Sequence, residues 1–207
     1  MHGLTDWTVV IPVKGTPDAK SRLGASAGMA MAIALDTVEV ALMVAPVIVV
    51  TSVGAAPAFA TLRATVVNDA GGGLNAAIRT GIAAAGDGPV AILLGDLPAL
   101  RSQELADALE AAGRLPLAMV ADAEGLGTVL IAARAASAHH PSFGEGSSAL
   151  HAAAGYVELP VAADSFLRRD VDTAEQLRSI PVDRLGARTR LALDRAALDR
   201  AALAESV

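Results

Sequence analysis

The stretch VAILLGDLP, residues 90–98, runs a set of apolar side chains into a glycine, a lone aspartate and a proline. A continuous run of Val, Ile and Leu ended by Gly and Pro suits a strand buried on both faces of a sheet. A carboxylate at the end of such a strand is costly unless something pairs with it. Asp96 therefore either caps a turn or meets a cation. The same pattern recurs in TVVIPV (8–13), PVIVVTS (46–52), ATVVND (64–69), LAMVAD (117–122) and TVLIAA (128–133). Between these runs lie helical patterns at 26–44, 74–85 and 102–112. The last has Ser102 as N-cap and Gly113 as its C-terminal stop. Strand alternating with helix predicts an α/β fold, a single three-layer domain with a mainly parallel central sheet. In such sheets ligands sit beyond the carboxyl ends of the strands. Those ends carry Lys14, Asp69 and Asp96.

Beyond residue 133 the alternation loosens. YVELPV (156–161) and SFLRRDVD (165–172) read as further strands, followed by a helix from Thr173. Residues 1–182 form the domain. Residues 183–207, DRLGARTRLALDRAALDRAALAESV, read as a helical tail that packs on the body or on a partner subunit, the latter giving a homodimer.

Composition narrows the class. The chain has 207 residues, enough for one domain with a real core. It is 53% hydrophobic but 2% aromatic, so Ala, Val and Leu build that core. A net charge of -6 argues against nucleic acid as a partner. The absence of cysteine excludes disulfides, thiolate catalysis and Cys-ligated zinc. The opening MHGLTDWTVV lacks a signal-peptide pattern, so a cytoplasmic protein is expected. Residues 40–62 carry no charge, a length that could span a bilayer. Pro46, Gly54 and Pro57 interrupt it, and VIVVTS is strand-like, so a helix running into a buried strand is expected there, with no membrane partner.

Four loops hold candidate chemistry. KGTPDAKSRL (14–23) follows the first strand and nearly matches a P-loop, but the second glycine is missing. That glycine turns the loop's amides onto phosphate. Lys14, Lys20 and Arg22 can still clamp a triphosphate by charge, against the alternative of a solvated polar loop. NDAGGGLNAAIRTG (68–81) sets three glycines before a helix, where a ligand can approach the backbone; the alternative is a flexible turn capped by Asn75. FGEGSSALHAAAG (143–155) gathers Ser147, Ser148 and free amides at a helix start, either an anion pocket or a capping serine. Its GEGSSA imitates a dinucleotide fingerprint but follows no strand of a first βαβ unit. RRDVDT (168–173) spaces Asp170 and Asp172 two apart, on one side if extended. That suits Mg²⁺ shared with substrate phosphates, or else an exposed turn with Asp172 or Thr173 as N-cap. His139 and His140 precede Pro141 without a matching ligand set and read as surface residues.

Taken in order, VVIPVKGTPDAKSRL, LLGDLPAL, GLGTVLIAA, FGEGSSALH and RRDVDTAEQL resemble the guanylyltransferases of deazaflavin coenzyme F-420 biosynthesis, which act on 2-phospho-L-lactate or phosphoenolpyruvate. The resemblance runs over roughly 8–181. It implies a Rossmann-like nucleotidyltransferase fold with GTP and Mg²⁺ at the carboxyl edge of the sheet. It implies that Asp96, Asp170 and Asp172 hold the metal and serve catalysis with Lys14 and Lys20. Thr128, Gly144, Ser147 and Ser148 then fall to the phosphorylated acid, and Lys14, Lys20, Arg22, Gly73 and Asn75 to the nucleotide. The implied reaction transfers GMP from GTP to the acid and releases pyrophosphate, with the product handed to the next enzyme of the pathway. The Arg-rich, Lys-poor composition suits a bacterial source, for which the resemblance implies phosphoenolpyruvate rather than 2-phospho-L-lactate. The attacking phosphate is already an anion, so no general base is assigned.

Three other classes compete. Nucleotidyltransferases of the molybdopterin or sugar-phosphate type usually open with a glycine-rich L-A-G-G loop, which IPVKGTPDAKS lacks. A P-loop kinase would release a nucleoside diphosphate instead of pyrophosphate. A non-catalytic nucleotide-binding protein would bind Mg-GTP and release nothing.

Overall fold

The computed structural model describes residues 6–14 and 27–205. Seven strands form one sheet: β1 (Thr8–Pro12), β2 (Val47–Thr51), β3 (Thr65–Asn68), β4 (Val90–Leu93), β5 (Leu117–Ala121), β6 (Thr128–Ala133) and β7 (Val157–Glu158). Their spatial order is β3-β2-β1-β4-β6-β5-β7. Every pairing is parallel except those of β6, which runs antiparallel to both β4 and β5. The expected three-layer α/β fold with a mainly parallel sheet is therefore present.

The reversal of β6 has a consequence for the site. In a parallel set only carboxyl ends reach the ligand edge. An antiparallel strand brings its amino end there instead. Leu93 pairs with Leu130, and the Leu94 N–H donates to the Val129 carbonyl at 2.9 Å. Thr128, the first residue of β6, thus stands at the same edge as Asp96.

The apolar runs divide their side chains between two layers, as period-two alternation requires. On one face Val9, Ile11, Val49 and Leu93 pack with Ala34 and Val38 of α1 (Ala27–Leu42), Phe59 of α2 (Ala56–Ala60) and Leu105 and Leu109 of α4 (Ser102–Ala112). On the other, Val10, Ile48, Val50 and Ile92 meet Ala77 and Ile78 of α3 (Leu74–Ala85), with Phe143 and Tyr156. The edge strand β3 departs from the doubly buried pattern, its ends Thr65 and Asn68 lying exposed. The charge-free stretch 40–62 resolves into the end of α1, β2 and α2, and no helix among the described residues is long and apolar enough to cross a membrane.

Three local expectations need correction. SFLRRDVD forms no strand: Phe166–Arg168 is a 3-10 turn with Ser165 as its cap, whose hydroxyl oxygen accepts from the Leu167 N–H at 3.2 Å. Ser102 is the first residue of α4, and Glu104 reaches back to accept from the Arg101 N–H at 3.1 Å. His139 is no surface residue. It is buried, its Nε2 on the Val90 carbonyl and its Nδ1 on the Tyr156 hydroxyl, each at 3.0 Å. The pattern of Pro141 and neighbouring polar residues concealed this, because the partners lie 49 and 17 residues away.

Past β7 the chain crosses back over α1. Val171, Leu177, Ile180 and Leu185 pack with Met29 and Ile33. Leu177 belongs to α6 (Ala174–Ser179), which Thr173 caps through its hydroxyl on the Gln176 N–H. The helix α7 (Ala187–Glu205) then docks on α1 of the same chain. Buried Asp36 on α1 accepts from the N–H groups of Arg188 and Thr189 and from the Thr189 hydroxyl, filling donors that a helix start leaves open. Arg188 also bonds Glu39 at 2.7 Å, and this pairing pushes the Arg188 pKa up and the Glu39 pKa down.

Candidate active site

A cleft of about 620 Å³ opens beyond the carboxyl ends of β1, β2, β3 and β4. Its lining includes Lys14, Ser52, Asp69, Gly71, Gly73 and Asp96. The three strand-end residues singled out in the sequence thus meet in one place, two of them carboxylates and one an ammonium.

The glycine run has a specific cause. Gly71, Gly72 and Gly73 all sit at positive φ, +90°, +93° and +88°. L side chains resist that region, so three successive residues there demand glycine. The turn is tied at its start, where Asp69 Oδ1 accepts from the Gly71 N–H at 2.8 Å. It delivers the chain to α3 with Gly73 on the cleft wall.

Asn75, expected at the nucleotide, is held in the structure by the loop after β6. Its Oδ1 accepts from the Phe143 N–H and its Nδ2 donates to the Phe143 carbonyl, both at 2.9 Å. The amide behaves as a piece of backbone that pins the loop 142–147 to the start of α3.

Asp96 and the Asp170–Asp172 segment come together through the main chain. The Val171 N–H donates to the Asp96 carbonyl at 3.0 Å, and buried Val171 anchors the segment on α1. Asp170 is half-buried and Asp172 exposed. The Asp172 N–H is taken by Gln176 Oε1 at 2.9 Å. Among the described residues, the carboxylates that approach one another as a set of three are Asp122, Glu124 and Asp170, with oxygens within 4.8 Å. Neither Asp96 nor Asp172 belongs to that set. Sequence reading missed Asp122 and Glu124, although LAMVAD ends a buried strand on a carboxylate just as VAILLGD does. Asp122 also shapes the turn to β6, its Oδ1 and Oδ2 accepting from the Leu126 and Gly127 N–H groups.

The residues expected at the acid form a second group. Thr128 and Ser147 are buried and 3.3 Å apart between hydroxyl oxygens. Gly144 is exposed at φ +137°, and Ser148 is half-buried. The helix start they were expected to share offers fewer donors than foreseen. It belongs to α5 (Ser147–Ala153), whose Ser147 and Ser148 N–H groups already bond the Gly144 and Leu126 carbonyls. His151, also missed, touches this group: its Nδ1 lies 3.0 Å from Thr128 Oγ1. Its spacing four residues after Ser147, on one helix face, was the available signal. Lys20 and Arg22 lie outside the described residues.

The arrangement offers an ammonium and open glycine backbone for a polyphosphate. It also offers carboxylate oxygens, without His or Cys, at the edge where the phosphates would lie. That hard donor set fits Mg²⁺.

Known proteins match in sequence and in fold. Residues 7–199 match the family described as "Guanylyl transferase CofC like". The phosphoenolpyruvate guanylyltransferase of Streptomyces coelicolor is 46% identical over 88% of this chain and 93% of its own. That of Salinispora arenicola is 46% identical over 89% of this chain and 92% of its own. Among solved structures, a nucleotidyl transferase from Methanothermobacter superposes with a TM-score of 0.61, at 18% identity over 86% of this chain and 97% of that one. A 4-diphosphocytidyl-2C-methyl-D-erythritol synthase does so at 0.58, with 16% identity over 91% and 98%. The structural likeness carries the fold, and the sequence match carries the family: the chain belongs to the CofC-like guanylyl transferases and is a nucleotidyltransferase.

Proposed function

We propose that this chain transfers GMP from GTP to phosphoenolpyruvate, releasing pyrophosphate, as a cytoplasmic step of coenzyme F-420 biosynthesis. The observation that carries the reading is the cleft in which Lys14, Asp69, Asp96 and the glycine turn converge, in a chain related over most of its length to enzymes of that name. Lys14 and the glycine turn bind the triphosphate. Lys20 and Arg22, close to Lys14 in sequence, add positive charge for the same triphosphate. Thr128, at the amino end of the antiparallel strand, and Ser147, at the start of α5, hold the acid, with Gly144 and Ser148 beside them. Asp96, Asp170 and Asp172 would hold Mg²⁺, with Asp122 and Glu124 next to Asp170. When bound, Mg²⁺ neutralises negative charge on phosphate oxygens.

In the reaction a phosphate oxygen of the acid attacks the α-phosphorus of GTP in line. A new P–O bond forms, the bond to the β-phosphate oxygen breaks, and that oxygen leaves with the electron pair as pyrophosphate. No proton moves, so the chain's residues act by positioning and by offsetting charge.

The test is incubation of the full chain with Mg²⁺, each of GTP, ATP, CTP and UTP, and either phosphoenolpyruvate or 2-phospho-L-lactate. Pyrophosphate is followed, and the product is identified by mass. Turnover is expected with GTP and phosphoenolpyruvate. Equal turnover with ATP removes guanine from the function, and faster turnover with 2-phospho-L-lactate changes the acid. Binding of Mg-GTP without pyrophosphate from any acid would instead make the chain a non-catalytic nucleotide binder.

A further inference from the structure

The His151 ring is fully buried, wedged edge-on between Phe143 and Tyr156 at centroid distances of 5.0 and 5.3 Å. Both ring nitrogens are engaged. Nε2 lies 3.0 Å from the backbone nitrogen of Ser142, which can only donate. In a neutral ring that acceptor role leaves the proton on Nδ1. Burial holds the ring neutral, lowering its pKa from 6.5 to about 4. Nδ1–H then donates to Thr128 Oγ1 at 3.0 Å.

The consequence follows from counting hydrogens. Thr128 and Ser147 carry one hydroxyl hydrogen each, and one bond of 3.3 Å joins the two oxygens. That bond consumes one hydrogen, whichever hydroxyl donates. Since the ring supplies its own proton to Thr128, the other hydrogen remains available. With the opposite tautomer Thr128 would have to donate to Nδ1 and Ser147 to Thr128, and none would remain. The backbone N–H of Ser142, acting through the ring, thus decides whether the hydroxyl pair donates or accepts.

We propose that His151 is a positioning residue that holds the Thr128–Ser147 pair as a net hydrogen-bond donor toward an anionic oxygen of the acid substrate. This rests on the reading above that the pair faces the acid. Thr128 opens β6 across from Ala121, next to the turn of Asp122, at the edge where Asp96 also stands.

Two substitutions separate the ring's two bonds. His151→Asn sets a side-chain N–H near the Nδ1 position and retains the donor to Thr128. His151→Gln reaches the Nε2 position, accepts from Ser142 and takes the donor away from Thr128, so the pair keeps its spare hydrogen but nothing fixes that hydrogen toward the acid. In steady-state assays of pyrophosphate release, the Gln variant is expected to raise the KM for the phospho-acid about tenfold or more, the scale of one lost contact to a charged group. The KM for GTP should stay within about twofold, and the Asn variant should recover most of the acid KM. Equal damage in both variants, or equal rises in both KM values, overturns the proposal and leaves His151 a packing residue. Two-bond ¹⁵N–¹H correlation of the wild-type ring decides independently of any variant: the Nδ1–H form is required, and the Nε2–H form overturns the idea. Failure of the reaction itself is a separate outcome, since it would show as no pyrophosphate from the wild-type chain.

Discussion

The two sides of the sheet are built by different means. On the β1–β3 side the site is made by main chain: parallel strands end together, and three glycines at positive φ bend the chain into α3. On the β5–β6 side it is made by side chains bonding across long separations. Asn75 clamps Phe143, His151 holds Thr128, and the Arg168 guanidinium donates to the Asp122 carbonyl at 2.8 Å. A site built from backbone tolerates side-chain change except where conformation demands glycine. One built from a buried polar network fails when a single partner is lost, because the other partner stays buried and unsatisfied. The carboxylates stand where the two sides meet.

The largest effect is expected at that junction. Asp96→Asn keeps the volume and removes the charge, and the rate of pyrophosphate release should fall roughly a thousandfold, the scale of a lost electrostatic stabiliser. Thermal melting should show the domain still folded. Mg²⁺ should raise the melting temperature of the wild-type chain but do so less for the variant, since a ligand stabilises only the state that binds it. A variant within tenfold of wild type would remove Asp96 from the chemistry.

Next comes pH, which acts on the side-chain network. Burial lowers the pKa of His139 to about 4, helped by the neighbouring charge of His140, and burial does the same to His151. Both folded values lie below the ordinary 6.5. The unfolded chain therefore takes up protons more readily. The stability these rings contribute is fully present above pH 6.5 and is lost as pH falls toward 4. Urea denaturation at pH 7, 6 and 5 should show a falling midpoint, in a range where carboxylates have barely begun to protonate. His139→Phe, which cannot titrate, should flatten the slope even if it lowers the starting stability. An unchanged midpoint between pH 7 and 5 would mean the rings are more open to water than their burial implies.

The same contrast explains what could be read from the chain beforehand. Strand ends and helix spans were legible because backbone geometry leaves local traces: Leu74–Ala85 and Ser102–Ala112 follow the periodicity, and Gly71–Gly73 announce a turn. The convergence of Lys14, Asp69 and Asp96 followed from topology alone. The role of Asn75, the burial of His139 and the set Asp122, Glu124 and Asp170 depend on pairings that no local window contains. The short segment SFLRRDVD misled for a related reason. Its alternation looked like a strand, but Glu104 on α4 bonds the Ser165 hydroxyl and the Phe166 N–H, both at 2.8 Å, and folds it into a turn.

A smaller effect is expected from Lys14 on the backbone-built side. Lys14→Ala removes one charge from the cleft wall, and the KM for GTP should rise about ten- to a hundredfold, as for one charge-assisted contact. Lys14→Arg should recover part of the loss. A wild-type KM for GTP in Lys14→Ala would mark this lysine as solvated surface.

The mildest test asks whether that side truly depends on backbone fit. Gly81 lies in α3 where the helix presses on the sheet; a Cβ there would overlap Val10 Cγ1 and come within 2.9 Å of Val50 Cγ2. Alanine favours a helix over glycine by about 1 kcal/mol. Overpacking a tight contact costs about 1–3 kcal/mol. The net loss for Gly81→Ala is then up to about 2 kcal/mol, a fall in melting temperature of at most roughly 4–8 °C for a chain of this length. Gly88→Ala, where the added Cβ meets nothing within 4 Å, should leave melting unchanged. The direction of any functional change is also set. Easing α3 away from Val10 and Val50 moves Gly73 and Leu74 on the cleft wall, so the KM for GTP should rise before the KM for the acid. If the acid KM moves first, the clamp between Asn75 and Phe143 carries the displacement across the sheet, and the two sides act as one unit.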